Sequence, residues 1–359
     1  VLGSLLEIGD DVRIDATVRS VSSGETLDQI RVEGDADSLV ALIDRLSVEV
    51  LQAILPERGL DGSIGLGGVA SSSPEAVKAW VEGERDYRLG RFEEAAGAFQ
   101  RAVEVDSMFA LAWFRLAQSR GWRESMPDEA DASAAWDRVH SLADRLSPRE
   151  RLMMRAQRSL RGADSIAVDT LRSFALRHPE DAEAWYVLAE RLYHLGSPDA
   201  WAQSEPAFEQ AIGLQPRFVP YHIHAIDLAF QLHADSALAR ERIERLERVA
   251  PESPEARIGE YSYDLAFGTD TVRAATLESL ADLALGQHLY ILGRLSHPEL
   301  QGVQGQVAWT IASRSDLPPG FQDEFTADGI RVLTLLGQMG QALQVADMVR
   351  APDLRYCGL

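Results

Sequence analysis

Apolar and polar residues alternate with a period of two from the first residue to about Gly34, in "VLGSLL", "DVRIDATVRSV" and "ETLDQIRVEG". Alternation sends successive side chains to opposite faces of a strand, and the intervening "EIGDD" and "SSG" carry turn residues. The pattern predicts a three-stranded antiparallel meander. In "DADSLVALIDRLSVEVLQAIL" the apolar positions move to Leu39, Leu42, Ile43, Leu46, Val50 and Ile54. That is the spacing of one helix face, and Asp35 or Asp37 can cap its start. Three strands and one helix make a core of under about 60 residues, thin for a free-standing domain. Val1 opens a strand with no turn before it, so residues 1–55 are expected to be the back part of a larger α/β domain. Glycine and serine without periodicity then predict a linker over residues 56–73. Its "GLGG" is followed by no Lys-Ser/Thr and preceded by no clear strand, which removes a phosphate loop.

From Pro74 onward helical periodicity takes over, and it repeats. In a frame beginning at Ala76, Gly83, Gly90, Ala95, Phe99 and Ala102 fall at positions 8, 15, 20, 24 and 27. A frame at Ala110 puts Trp113, Leu116 and Ala117 at 4, 7 and 8; one at Pro148 puts Gly162, Ala167, Leu171 and Pro179 at 15, 20, 24 and 32. The frame at Ala182 returns Trp185, Leu188, Ala189 and Gly196 at 4, 7, 8 and 15, and "EPAFEQAIGLQP" repeats its second half. The offsets predict pairs of antiparallel helices. Small residues at 8 and 20 allow close approach, a large one at 24 fills the space beside them, and glycine at 15 closes helix A in a left-handed cap. Proline at 32 ends helix B. One pair cannot bury its apolar face, so pairs must stack. A leucine at Ala95 is expected to overpack the crossing by roughly 1–3 kcal/mol.

This 34-residue pattern resembles the tetratricopeptide repeat. The resemblance covers Pro74 to Pro251. Two weaker units, around "SPEARIGEYSYDLAFGTD" and "GIRVLTLLGQMGQALQVADMV", extend it towards residue 359, with an irregular helical spacer expected over about residues 287–321. It implies a mainly α fold, a right-handed α-solenoid of helix pairs over residues 74–359, preceded by the small α+β segment. "GSLLEIGDDVRIDATVRSVSSGETL" with "DSLVALIDRL" resembles the last part of the amino-terminal domain of TolB-like proteins. That domain precedes tetratricopeptide arrays in bacterial regulators, among them membrane-anchored serine/threonine kinases, adenylate cyclases and transcription factors. "SPRERLMMRAQRSLRG" and "HPEDAEAWYVLAERLYHLG" resemble the C-terminal halves of such kinases. No Gly-rich loop before a Val-Ala-Ile-Lys strand, His-Arg-Asp or Asp-Phe-Gly occurs, so a kinase domain of any parent protein is expected upstream. The compartment follows from that upstream part: outside the cytoplasm in membrane-anchored relatives, inside it in soluble regulators.

Composition narrows the function. The 359 residues carry 35 basic and 56 acidic side chains, a formal charge of −21, which repels a phosphate backbone. One cysteine, Cys357, excludes an internal disulfide and a cysteine-rich metal site, and no apolar run approaches the roughly 18 residues of a membrane span. No catalytic signature stands out, and no cofactor is expected. Glu82 with Glu84, and Asp128 with Glu129, read as solvated helix faces rather than acid/base pairs. His222 and His224, two apart on a helix, point to different faces and are poorly spaced for chelation; His194 and His233 stand alone.

Function is therefore expected on the helix A face. In this repeat family, positions 2, 5, 9, 12 and 13 line a concave groove. Carried onto this sequence, they are Trp80, Glu84, Tyr87 and Arg88 in the first unit, and Leu111, Phe114, Gln118 and Trp122 in the second. The fourth unit supplies Glu183, Tyr186, Glu190, Tyr193 and His194, and the fifth Tyr221, His224 and Gln231. Arg151 and Arg155 lie near this face in the third unit and share a basic helix face with Arg158; the alternative for them is pairing with neighbouring acids. Rings beside single polar groups suit a peptide or protein partner, although any one ring has equal reason to pack between units. A non-catalytic interaction scaffold is the leading expectation. The alternative is a structural or self-associating module of a larger regulator, for which "VQGQVAWTIASRSDLPPGF" is the cue.

Overall fold

The computed structural model describes residues 2–8, 11–20, 24–35, the single positions 42, 46, 49, 50 and 71, then 73–122, 129–158, 165–251, 253–280, 283 and 285–312. Within them the protein is mostly helical, with a small three-stranded antiparallel sheet towards the N terminus. The chain forms two compact units. Among the described residues, the first runs to Leu188 without Arg88–Gly90; the second takes those three residues and continues from Ala189.

In the first unit, β1 (Leu2–Ile8), β2 (Asp11–Arg19) and β3 (Thr26–Asp35) pair in the order β1-β2-β3. Ile14 stands opposite Leu5 on one side and Val32 on the other. The alternation works as expected: Val12, Ile14, Ala16 and Val18 turn to one face, where Ile30 and Val32 join them. Leu42 packs on Val12, Ile14 and Val32, while Leu46 and Val50 lie against Ala16, Val18 and Ile30. The expected linker lies outside the described residues apart from Ser71 and Ser73.

Helices then follow one another: α1 (Pro74–Arg88), α2 (Phe92–Val105), α3 (Ala110–Gly121), α4 (Glu129–Ser141), α5 (Pro148–Arg158), α6 (Ser165–Arg177) and α7 (Ala182–Tyr193). Position 8 explains itself in the first pair. A Cβ on Gly83 would stand 2.6 Å from a ring carbon of Phe99, so α1 and α2 meet where the sequence is smallest. Ala95 and Phe99 are fully buried at that crossing. Glu93 and Glu94 occupy the first turn of α2, where the helix dipole favours acids.

The second unit contains the end of α7, then α8 (Pro198–Leu214), α9 (Pro220–Gln231), α10 (Ser236–Glu247), α11 (Pro254–Phe267), α12 (Asp270–Ser279), α13 (Leu285–Arg294) and α14 (Gln301–Ala312). Ser197, Asp235, Ser253 and Thr269 accept backbone N–H groups at helix starts, satisfying donors the helices leave open. Val219, Ile226, Phe230, Ile243, Leu246, Leu265, Ile291 and Leu295 form its core. Gly90 and Gly196 take φ values of 75° and 69°, the left-handed caps expected of position 15. A Cβ on Gly90 would also meet Val219 Cγ1 at 2.8 Å. The stretch expected as an irregular helical spacer is helical in α13 and α14, joined through a 3-10 turn at Pro298–Leu300; residues 313–321 lie outside the described part, as do the last expected unit and Cys357. No helix among the described residues is long and apolar enough to cross a membrane.

Candidate functional site

The groove positions of the first unit carry a buried polar network rather than a bare surface. Arg115, on α3, is its hub. Its Nε donates to Glu84 Oε1 at 2.5 Å, and its Nη1 donates to Gln118 Oε1 and Glu183 Oε1, both at 2.7 Å. Gln118 Nε2 donates to Gln157 Oε1 of α5. Arg149, also on α5, grips Asp181 through Nε and Nη2 at 2.6 and 2.7 Å and reaches Glu183 Oε2 at 3.0 Å. Asp181 accepts the Ala184 N–H as well, so one carboxylate both caps α7 and anchors an arginine. Burial by itself would raise the Glu183 carboxyl, but the charges of Arg115 and Arg149 outweigh it and hold the group down at about 2. Both arginines are correspondingly held above their ordinary range, burial opposing and the Glu183 charge overcoming it.

The expected rings divide. Tyr87, Phe114 and Tyr186 are buried. Tyr87 meets Phe92 edge-on at 5.5 Å and lies under Arg115; Phe114 meets Trp136 at 5.8 Å. They pack the helices together and are not presented to a partner in this structure. Trp80, 6.0 Å from Phe109, and Trp122, stacked on Phe92 at 5.6 Å, are half-buried. Among the described residues, Arg151 donates to the main-chain carbonyls of Leu146 and Ala143. Arg155 is exposed, and the Arg158 side chain lies outside the described residues. Glu82 pairs with Arg101 at 2.9 Å; the Asp128 and Glu129 side chains are likewise outside the described residues.

In the second unit the same helix positions converge on one carboxylate and two imidazoles. Glu190 lies in the last turn of α7 and His194 just past its end, where its N–H still donates to the Glu190 carbonyl, so the two share a face. His224 comes from the start of α9. Both His194 Nε2 and His224 Nε2 lie 3.7 Å from Glu190 Oε2. On its other side, His224 Nδ1 donates to Asp227 Oδ2 at 2.7 Å, because an ionised carboxylate can only accept. Asp227 Oδ1 accepts from Arg294 Nε of α13 at 2.5 Å. The Tyr193 ring stacks on His224 with centroids 4.0 Å apart, and its hydroxyl lies 3.2 Å from Asp227 and 3.0 Å from Gln231. Burial lifts that hydroxyl well above its ordinary range, and the Asp227 charge adds to the effect. Burial opposes protonation of His224, yet the charge of Glu190 and the bond to Asp227 raise it overall.

Tyr221 is buried against Phe218, 4.3 Å centroid to centroid, and the Arg88 guanidinium lies over that same phenylalanine. His222 faces away from His224, its Nε2 2.9 Å from the Pro216 carbonyl, and burial depresses it. Position counting thus reached Glu84, Gln118, Glu183, Glu190, His194 and His224. It missed Arg115, Arg149, Asp181, Asp227 and Arg294. Asp227 had a signal, since it follows His224 by three residues on one helix face; Arg294, 67 residues further along, had none.

The profile of the tetratricopeptide repeat matches residues 81–120 and 165–200, which span parts of α1 to α3 and of α6 to α8. No curated protein matches the chain. These segments support a tetratricopeptide-repeat protein; such repeats are generally protein–protein interaction modules and are typically non-catalytic.

Proposed function

We propose that the chain is a non-catalytic interaction scaffold, the tetratricopeptide portion of a bacterial regulatory or sensory protein, which holds a peptide or protein partner on its helix A faces. The observation that carries this reading is the repeat itself: where it recurs, positions 9 and 2 deliver Glu84, Gln118 and Glu183 to one ordered network. That buried network holds the helix A faces in place, so a partner meeting them faces a low ordering cost. Arg155 and His194 are the exposed members of the expected set, and Trp80, Arg88 and Trp122 are half-buried. The N-terminal meander with Leu42, Leu46 and Val50 against it supports the TolB-like resemblance and, with it, placement in a multidomain regulator.

The test is capture of partners from native lysate by wild-type protein, Arg155→Glu and His194→Ala, each checked for wild-type circular dichroism. Loss of one common partner in either variant is expected. The same partners in the same yield from all three proteins would remove the helix A assignment. A second reading, a self-associating module, is supported by β1, an edge strand that exposes Leu2, Leu5 and Leu6. A monomer mass independent of concentration in light scattering would exclude it.

A further inference from the structure

We propose that Glu190, His194 and His224 form a zinc(II) site with a fourth coordination position left for water or an outside donor. The chemistry of the donors comes first. One carboxylate and two imidazoles are a recurrent three-ligand set for zinc that keeps a position open. Glu190 at the end of α7 and His194 just past it are four residues apart, His224 is on α9, and their ligand atoms all lie within 4.8 Å of one another. Glu190 Oε2 stands 3.7 Å from each imidazole Nε2. Ligands at about 2.0–2.1 Å around a tetrahedral ion are about 3.3 Å apart, so those two edges need a contraction of a few tenths of an ångström. The third edge closes by movement of His194, which sits just past the end of α7 with 35% of its side chain exposed.

Two further observations point to a ligand. Glu190 is 97% buried, and its Oε1 makes no hydrogen bond among the described residues. A buried carboxylate oxygen without a donor is costly, and a cation bound at this carboxylate relieves that cost. The second is the support behind His224. Asp227 accepts a hydrogen bond from Nδ1–H, which leaves the Nε2 lone pair on the side of Glu190 and His194. Metal-binding histidines characteristically donate their other nitrogen to a carboxylate in this way, and Arg294 in turn fixes that carboxylate. An alternative assignment is a cluster with no metal, in which His224 carries a proton between Glu190 and Asp227. The two assignments make opposite predictions for zinc.

The experiment uses the full chain without a polyhistidine tag, dialysed against zinc and then analysed for bound metal, with affinity measured by calorimetry. One zinc ion per chain is expected, together with a zinc-dependent rise in Tm. His194→Ala, whose side chain is solvent-facing and therefore does not threaten the fold, should weaken binding at least about tenfold and abolish the rise in Tm; Glu190→Gln should do the same. His233→Ala, at an exposed pair with Glu205, should bind as wild type does. No retained zinc in the wild type, or equal affinity in wild type and His194→Ala, overturns the proposal.

Discussion

Equivalent helix A positions handle charge differently in the two units. In the first, Glu84, Glu183 and Asp181 are each met by an arginine at 2.5–2.7 Å, and the amides of Gln118 and Gln157 close the remaining contacts. Its acids are spent on the protein's own cations. In the second, Arg294 satisfies Asp227, while the charged partners of Glu190 among the described residues are two imidazoles at 3.7 Å. Arginine is permanently charged and forms two-pronged bonds; imidazole presents a neutral lone pair when its other nitrogen is tied down. The first arrangement fixes helices to one another, and the second has the means to take up an ion.

Removal of a cation from the first network should have the largest effect. Arg115→Ala leaves Glu84 and Glu183 without their nearest compensating charge and is expected to cost about 3–5 kcal/mol in urea unfolding. A smaller loss would mean that water or Arg149 compensates, and the two units would then be less different than they look. Next comes acid sensitivity. Glu183 titrates at about 2 when folded against an ordinary 4.5, so its contribution is complete above pH 4.5 and is lost as pH falls towards 2. The stability difference between wild type and Glu183→Gln should shrink across that window; a difference independent of pH would count against the two-arginine clamp.

Glu190→Gln should be milder. Without zinc it exchanges a poorly matched buried carboxylate for an amide of equal size, at a cost under about 1 kcal/mol. A loss as large as that of Arg115→Ala would erase the contrast between the units. The smallest change is expected at Arg101→Ala. Its bond to Glu82 spans two half-exposed side chains, and stability should move by no more than about 0.5 kcal/mol.

Much of the fold is legible in the chain because it rests on local rules. Period-two alternation marks β1 to β3, and Leu42, Leu46 and Val50 announce a helix that packs on them. Glycine at position 15 states where α1 ends, and Gly83 with Phe99 states where α2 crosses it. The groove positions were less legible. Counting by offset brings Tyr87, Phe114, Tyr186 and Tyr221 to the helix A face, but it does not say which edge of that face the neighbouring helix covers, and all four are buried. The stretch from Gln287 departs from the repeat spacing yet was expected to be helical; α13 and α14 form there, and their packing in the second core supplies what the repeat pattern lacks.

By itself the sequence determined the helix pairs, their caps and their closest crossings, because those depend on residues within a turn or one repeat of each other. Which polar groups meet was decided by tertiary structure alone. Arg115 finds Glu183 across 68 positions, and Asp227 finds Arg294 across 67. His224, which the sequence places on a different face from His222, meets Glu190 and His194. Such contacts depend on the angle at which one helix pair stacks on the next. That angle is set by the fit of whole buried surfaces, and no short-range spacing encodes it.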